Sequence, residues 1–502
     1  MAAGLEHHTS LVDKLLAEQA QLGTAVERFA DWHERDDHAE PLQARHYRSL
    51  IPMLKPQRGE QYAFEVNLDQ CTGCKACVAA CHSLNGLDDD ESWRDVGLLV
   101  GDVYIPYQQT VTTACHHCAD PACANGCPVL AYEKDPETGI VRHLDDQCIG
   151  CSYCILKCPY DVPKFNKKRG IVRKCDMCHQ RLSAGEAPAC VQACPNGAIA
   201  IRVVNVSASA AAISGHEAPT PATTYSSGAQ LLPDTVSSGY TRPTTRYISS
   251  KPVPPSAMAV NAATPEVEHT HLPLVIMLVF TQFAAGTFLF AQANAVMSWI
   301  GFALASVGIV ASIAHLGQPL KAWRCFLGLR KSWLSREIVA FGGFPPAGAA
   351  AALGFIPSWW VAVIGLLSVF CSVMVYVDTR RPFWHMGQTL PKFFGTALVL
   401  GAALAACFGQ AEPGLVLALV AVKLACELLY LAKDEEENAR SKRLLLGPLK
   451  VWHFSRFAAG MLGASLMLHT PVVGLLVLLA GEFLERIIFF RAGAAWRMPG
   501  HA

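Results

Sequence analysis

The stretch 148-CIGCSYCILKCPY-160 sets Cys148, Cys151, Cys154 and Cys158 in the run C-x2-C-x2-C-x3-C-P. In that spacing three thiolates wrap one corner of a cubane iron–sulfur cluster, and the fourth, followed by proline, reaches across to a second. One such run therefore implies another. Three further groups are present: Cys71, Cys74, Cys77 and Cys81; Cys115, Cys118, Cys123 and Cys127; and Cys175, Cys178, Cys190 and Cys194. Sixteen thiolates make four sites of four. Zinc also takes four cysteines, but usually as two separated C-x2-C knuckles, with no need for three thiolates in seven residues followed by Cys-Pro. Runs this crowded are poor disulfide geometry, and nothing in the first thirty residues reads as an export signal.

At 502 residues the chain is too long for one core. Formal net charge is zero, which gives no argument for a nucleic-acid partner, while 52% apolar content points to a membrane. All but four of the twenty cysteines precede residue 195, and nearly all the long apolar runs follow residue 270. The expected fold is an α+β ferredoxin-like polycluster domain followed by an all-α membrane bundle of about eight transmembrane helices. Four regions follow: a helical extension (1–60), the four-cluster domain (61–204), a Pro/Ser/Thr-rich tail and linker (205–270), and the transmembrane domain (271–492).

In the extension, Leu11, Leu15, Leu16, Leu22, Val26 and Phe29 recur at roughly helical spacing. Its polar face lacks the Lys and Arg enrichment of membrane-surface helices, so a helix packed on protein is expected. Within 61–204, short strands such as YAFEVNL and GAIAIRVV alternate with cysteine groups, which suits a fold organised by metal more than by apolar area. The basic run KFNKKRGIVRK reads first as a solvated face offsetting anionic clusters and second as a docking surface.

The stretches CTGCKACVAAC, CHHCADPACANGCP, CIGCSYCILKCPYDVPKF and CDMCHQRL…CVQACPNGAI resemble, in order over residues 65–202, the four-cluster iron–sulfur subunit of membrane-bound molybdopterin oxidoreductases of the dimethyl sulfoxide reductase type. The resemblance implies that the first group pairs with the fourth and the second with the third. The implied clusters are then I (Cys71, Cys74, Cys77, Cys194), II (Cys81, Cys175, Cys178, Cys190), III (Cys115, Cys118, Cys123, Cys158) and IV (Cys127, Cys148, Cys151, Cys154). Cluster IV would lie nearest the membrane and cluster I nearest a molybdopterin-containing catalytic subunit. Nitrate-reductase relatives have tryptophan and a three-iron cluster at the position of Cys151; this chain keeps the cysteine, so four [4Fe-4S] clusters are expected. The middle of the linker, LLPDTVSSGYTRPTTRY, resembles the extended tail that ends the family's subunit and runs along a partner.

Eight apolar segments follow: 272–293, 296–314, 337–356, 358–376, 393–409, 413–432, 455–469 and 471–490, against the roughly 17–25 residues that span a bilayer. The last two are joined by a bare turn, so seven is the alternative count. The loops after segments two, four and six and the C-terminal tail carry the Lys and Arg, while the opposite turns carry none. Positive-inside then places those loops, and the cluster domain, on the cytoplasmic side of the cytoplasmic membrane, in contact with lipid and quinone. The second segment runs into AHLGQPLKAWRCFLGLRKSWLSREI, which resembles the family's heme-free anchor subunit, where H-L-G-x-P and S-x-E-I mark the quinol region. His315 and Glu337 become the candidate quinol-site residues. Quinol oxidation releases two protons with its two electrons, and histidine suits the acceptor role by its pKa. The histidines at 269, 271, 315, 385, 453 and 469 all lie near segment ends, so no heme is expected. Lys423, Glu427, Glu482 and Glu485 are costly in lipid and read as paired charges between helices or, second, as a proton path.

The resulting expectation is a non-catalytic redox subunit, passing electrons from menaquinol or ubiquinol through four clusters to a separate subunit. The alternatives are the reverse direction, from a dehydrogenase to quinone or as a polysulfide reductase-type anchor, and an ion- or proton-translocating redox module.

Overall fold

The computed structural model describes residues 10–21, 44–102, 104, 106–206, 230–262, 266–292, 294–432, 438–494 and 497–499. The chain divides into two compact units, Met1–Ser49 and Leu50–Ala502. The first holds helix α1 (Leu11–Gln21) and the short α2 (Ala44–Tyr47). Leu11, Leu15 and Leu16 of α1 are exposed. The expected continuation through Leu22, Val26 and Phe29 lies outside the described residues.

In the second unit, β1 (Glu60–Asn67) carries Tyr62, Ala63, Phe64 and Val66 inward and pairs antiparallel with β8 (Ile199–Asn205). Between them lie three antiparallel hairpins: β2 (Asp95–Val100) with β3 (Gln108–Thr113), β4 (Tyr132–Lys134) with β5 (Val141–His143), and β6 (Lys164–Asn166) with β7 (Ile171–Arg173). The intervening helices α3 (Ala76–Leu84), α4 (Ala122–Gly126), α5 (Tyr153–Lys157), α6 (His179–Ser183) and α7 (Ala189–Gln192) are short, and each contains or directly follows a grouped cysteine. Four or five residues cannot hold a helix alone, so these turns depend on what the cysteines bind.

The segment expected as tail and linker does more than connect. β9 (Arg246–Ile248) pairs parallel with β1 to complete a sheet of order β8-β1-β9, and β10 (Met258–Ala259) joins β2. Composition hid this, because the anchors are sparse. Tyr247 is fully buried, and Thr244 satisfies its hydroxyl on the His116 carbonyl at 3.0 Å.

The membrane half contains α8 (Leu272–Phe290), α9 (Ala295–Ala314), α10 (Trp333–Ala352), α11 (Ser358–Val377), α12 (Met386–Cys407), α13 (Pro413–Ala432), the short α14 (Ala439–Leu446), α15 (Lys450–Leu466) and α16 (Pro471–Arg491). Among the described residues, α8, α9, α11, α12 and α13 are long and apolar enough to cross a membrane. The others depart for visible reasons. α10 carries Arg336, Glu337 and two internal prolines, α15 has 17 residues, and α16 carries Glu482, Glu485 and Arg486. α12 and α15 begin seven and five residues earlier than the apolar pattern suggested, at 386 against 393 and at 450 against 455. Lys392 precedes the apolar segment and Arg456 stands near the start of its own, yet both are buried inside the bundle.

Candidate functional site: four thiol quartets and a docked membrane loop

The sixteen grouped cysteines form no disulfide. Cys115, Cys118, Cys123 and Cys158 line one cavity of about 370 Å³, together with Lys174 and Tyr160. Cys71, Cys74, Cys77 and Cys194 line a second, of about 310 Å³. The remaining eight act on one another electrostatically. Burial, then Cys190, push the Cys81 thiol up to about 12, with Cys178 adding. Burial, then Cys81, raise Cys175. Burial raises Cys151 and Cys154, and in both Cys127 and Cys148 add to it. Cys81, Cys175, Cys178 and Cys190 thus influence one another, as do Cys127, Cys148, Cys151 and Cys154, with Cys115 also acting on Cys175.

The chemistry of the donor sets fits an iron–sulfur core. Crowded buried thiols persist as thiolates only with cations among them, and metal binding releases their protons. Backbone amides already aim at sulfur: Ala131 N–H donates to Cys127 Sγ at 3.2 Å, Gly150 to Cys148 at 3.3 Å, Met177 to Cys175 at 3.4 Å and Ala198 to Cys194 at 3.2 Å.

The basic run is a paired surface. Lys167 bonds Asp90 at 2.8 Å, Lys168 pairs with Asp88, and Arg173 reaches the buried Glu91 at 3.0 Å. Lys174 points inward, toward Cys115.

His315 ends α9, and the loop it opens docks on the quartet-IV loop. Gln318 N–H donates to the Ile149 carbonyl at 3.0 Å, Gly317 N–H to that of Gly150 at 3.4 Å, and the Gln318 amide to the Arg169 carbonyl at 2.8 Å. The approach needs glycine on both sides. Gly150 and Gly170 have φ of +68° and +64°, and a Cβ on Gly317 would lie 2.0 Å from the Gly170 oxygen. Leu316 packs against the core that contains Cys127, Cys148 and Cys154.

The S-x-E-I motif and the turn before it make a matching contact, in which Ser335 donates to the Pro128 carbonyl at 3.3 Å. Ser332 donates to the Gly126 carbonyl at 2.7 Å and Gly328 N–H to that of Pro128 at 2.8 Å, bracketing Cys127. Tyr153, beside Cys154, enters the bundle core with Val373, Val375 and Phe383 and donates to the Val375 carbonyl at 2.8 Å. Lys157 pairs with Asp378 at 2.8 Å. The tail joins the same interface through Tyr240, which bonds the Asp378 carbonyl at 3.1 Å, so it runs along this chain's own membrane domain.

His315 Nδ1 and Glu337 Oε1 are buried without a hydrogen-bond partner. Burial pulls the His315 imidazole down to about 4, with His271 adding to the effect. Burial raises the Tyr153 hydroxyl, and Asp378, Tyr240 and Glu337 add to it.

Lys423, Glu427, Glu482 and Glu485 join one buried network that sequence reasoning saw only in part. Lys392 bonds Glu485 at 3.0 Å and lies 3.8 Å from Glu427, which also takes Arg456. Lys423 pairs with Glu482, and Thr396 donates to Glu482 at 2.6 Å. Arg486 sits 3.3 Å from Glu485 and bonds Gln282 at 2.9 Å. Lys392 and Arg456 had counted as loop charges. The signal that could have found them is the shortness of segments five and seven.

Comparison with known proteins agrees with this architecture. Residues 107–204 match a 4Fe-4S dicluster domain, and residues 267–436 match the dimethyl sulfoxide reductase anchor subunit. The protein is 36% identical over 146 residues to the B subunit of anaerobic dimethyl sulfoxide reductase from Haemophilus influenzae, covering 27% of this sequence and 71% of that one. It is 38% identical over 147 residues to the Escherichia coli B subunit, covering 27% and 70%. The nitrate-inducible formate dehydrogenase iron–sulfur subunit of Escherichia coli is 33% identical over 181 residues, 32% of this sequence and 56% of that one. This polypeptide belongs to the family of iron–sulfur B subunits of anaerobic dimethyl sulfoxide reductase, joined here in one sequence to an anchor domain, and is an electron-transfer and membrane-anchor subunit.

Proposed function

We propose that this subunit oxidises membrane quinol beside His315 and Glu337 and delivers the electrons through four [4Fe-4S] clusters to a separate molybdopterin-containing, dimethyl sulfoxide reductase-like catalytic subunit. Cluster IV is held by Cys127, Cys148, Cys151 and Cys154, cluster III by Cys115, Cys118, Cys123 and Cys158, cluster II by Cys81, Cys175, Cys178 and Cys190, and cluster I by Cys71, Cys74, Cys77 and Cys194. Each cluster, when bound, accepts and passes one electron. The helices form eight spans, with the cluster domain on the cytoplasmic side, where the Lys- and Arg-rich loops gather.

The observation that carries this reading is the seating of the His315–Gln318 loop on Ile149–Gly150, between two cysteines of quartet IV. A residue able to take a quinol proton is thereby fixed a few bonds from the first electron acceptor. With its pKa depressed, His315 is neutral at physiological pH and offers Nδ1 as an acceptor to a quinol hydroxyl. Glu337 supplies a second buried oxygen for the second proton. Quartet I lies at the opposite end of the relay, where Cys74 is exposed and open to a partner.

The test is His315→Ala in the purified complex. All four cluster signals should persist under dithionite while reduction by a quinol analogue is lost. Quinol-driven reduction at the wild-type rate would sink the assignment.

A further inference from the structure

Two cations are buried in the cluster domain that, among the described residues, form no ion pair with a carboxylate. Arg94 is 2% exposed. Its guanidinium lies over the Phe64 ring at 4.7 Å and donates to Thr112 Oγ1 at 3.2 Å, while Nη2 has no hydrogen-bond partner. Thr112 Oγ1 is in turn 3.5 Å from Cys77 Sγ. Burial works against the charge, and the groups that favour it are Cys190, Cys77, Cys175 and Cys81, thiols of quartets I and II. Lys174 is 3% exposed. It donates to the Val141 and Cys175 carbonyls and lies 3.6 Å from Cys115 Sγ. Burial again works against it, opposed by Cys115, Cys123 and Cys175, thiols of quartets III and II. The carboxylate of Asp176, which also acts on Lys174, is bonded to His179 at 2.9 Å.

A buried unpaired charge is so costly that it needs a countercharge. Elsewhere in this domain the rule is kept with carboxylates, as in the pair of Arg173 with Glu91. Among the described residues neither Arg94 nor Lys174 forms an ion pair with a carboxylate, and thiols of the quartets are the groups that most favour their charge. Between quartets III and IV the arrangement differs. The buried group that Cys154, Cys123 and Cys127 act on is the neutral phenol of Tyr132.

We infer that Arg94 and Lys174 are potential-setting residues, each a shared counter-ion for two neighbouring clusters: Arg94 for I and II, Lys174 for II and III. The inference rests on the cluster assignment proposed above. Adding an electron makes a cluster more negative, so a fixed cation beside it favours the reduced form, and removing the cation lowers the reduction potential. At an effective dielectric constant of about 20 and a separation under ~10 Å, one charge changes the reduced-to-oxidised ratio on the order of tenfold. For a one-electron couple that is about 59 mV. Cluster II is flanked by both cations and responds to both.

The experiment is an EPR-monitored redox titration of the intact complex carrying Arg94→Met, Lys174→Met, Arg94→Lys or Lys174→Arg. Each Met variant should lower two of the four midpoint potentials on the order of tenfold in redox ratio, with one cluster common to both, while the charge-conserving variants stay near wild type. Four unchanged potentials in a Met variant overturn the inference, as does an equal shift in the Met and charge-conserving variants, which would make the role one of packing. Loss of a cluster in a Met variant but not in its charge-conserving partner supports the counter-ion role; loss in both overturns it. Iron content and signal count of the wild-type complex test the cluster assignment separately, and a wild type lacking four such signals overturns both.

Discussion

Gly317→Ala isolates the contact on which the proposed electron entry depends. Gly317 does not occupy the left-handed region, so alanine fits its backbone conformation and the effect is steric. The added Cβ would sit 2.0 Å from the Gly170 oxygen and 2.6 Å from its carbon, against a floor of 3.0 Å for real Cβ contacts. The obstacle is backbone held by a turn, so the loop must retreat by the difference, 3.0 less 2.0, or at least 1.0 Å. That retreat stretches the three hydrogen bonds that Gly317 and Gln318 make to Gly150, Ile149 and Arg169. At about 0.5–1.5 kcal/mol apiece, roughly 1.5–4.5 kcal/mol of docking is at risk. A misplacement of about 1 Å at a reacting pair can cost on the order of a hundredfold in rate. The assay is stopped-flow reduction of the clusters by a quinol analogue, with dithionite reduction to confirm that all four remain. Gly342→Ala is the control, because a Cβ there meets nothing within 4 Å. Quinol-driven reduction within twofold of wild type for Gly317→Ala, or an equal loss in the control, would refute the role of this contact.

Three further outcomes are expected. Lys392→Met removes the 3.0 Å partner of Glu485 and one of the two cations at Glu427, while Arg486 and Arg456 remain; it should lower the melting temperature of the detergent-solubilised protein at a cost below the roughly 3–5 kcal/mol of a buried pair left wholly unpartnered, and Lys392→Met with Glu485→Leu should recover part of the loss. Lys157→Ala removes the 2.8 Å pair with Asp378 and a hydrogen bond to the Asp378 carbonyl, and should make the interface more open to limited proteolysis, by about 1–3 kcal/mol. Burial holds His315 near 4, below its ordinary value, so the neutral acceptor is present above that value; quinol-driven reduction should show no loss from this group between pH 8 and 5, and should fall only as pH approaches 4.

Much of the arrangement was legible because cysteine spacing is a rigid signal. Spacing gave the four cysteine groups, and the family resemblance implied the two sets of four that are found lining cavities; the H-L-G-x-P loop lies on the cluster-domain face, where segment parity put it. Other features were hidden for physical reasons. Hydropathy treats the buried Lys392 as a loop residue, since the pairing with Glu485 and Glu427 that makes it tolerable comes from distant helices. Composition treats 230–262 as a linker, although one buried tyrosine and a few bonded threonine hydroxyls suffice to tie β9 to the sheet. Arg94 has no sequence signal, because its countercharge is spread over thiols from two cysteine groups.

The buried network also bears on whether this bundle moves protons across the membrane. Its members cluster toward the cluster-domain ends of their helices: Lys392 is six residues into α12, Arg456 six into α15, and Glu485 six from the end of α16. The deepest, Glu482 and Lys423, lie nine residues from the ends of α16 and α13, about 14 Å at 1.5 Å per residue. Beyond them the sequence is unbroken: residues 283–290, 397–407, 413–422, 457–466 and 471–481 contain no Asp, Glu, Lys, Arg or His. Val279, Phe283, Leu400, Val416, Val420, Met467 and Leu478 fill that half as one apolar core. A proton reaching Glu482 would still face about ten residues, roughly 15 Å, of hydrocarbon. The network is therefore entered from one side, and it serves to hold α12, α13, α15 and α16 in register. In sealed vesicles, quinol-driven turnover should release protons only on the cluster-domain side, and Glu482→Gln should leave that stoichiometry unchanged while lowering stability. Proton release on the opposite side, abolished by Glu482→Gln, would show that the apolar half opens and that the charges are a pathway.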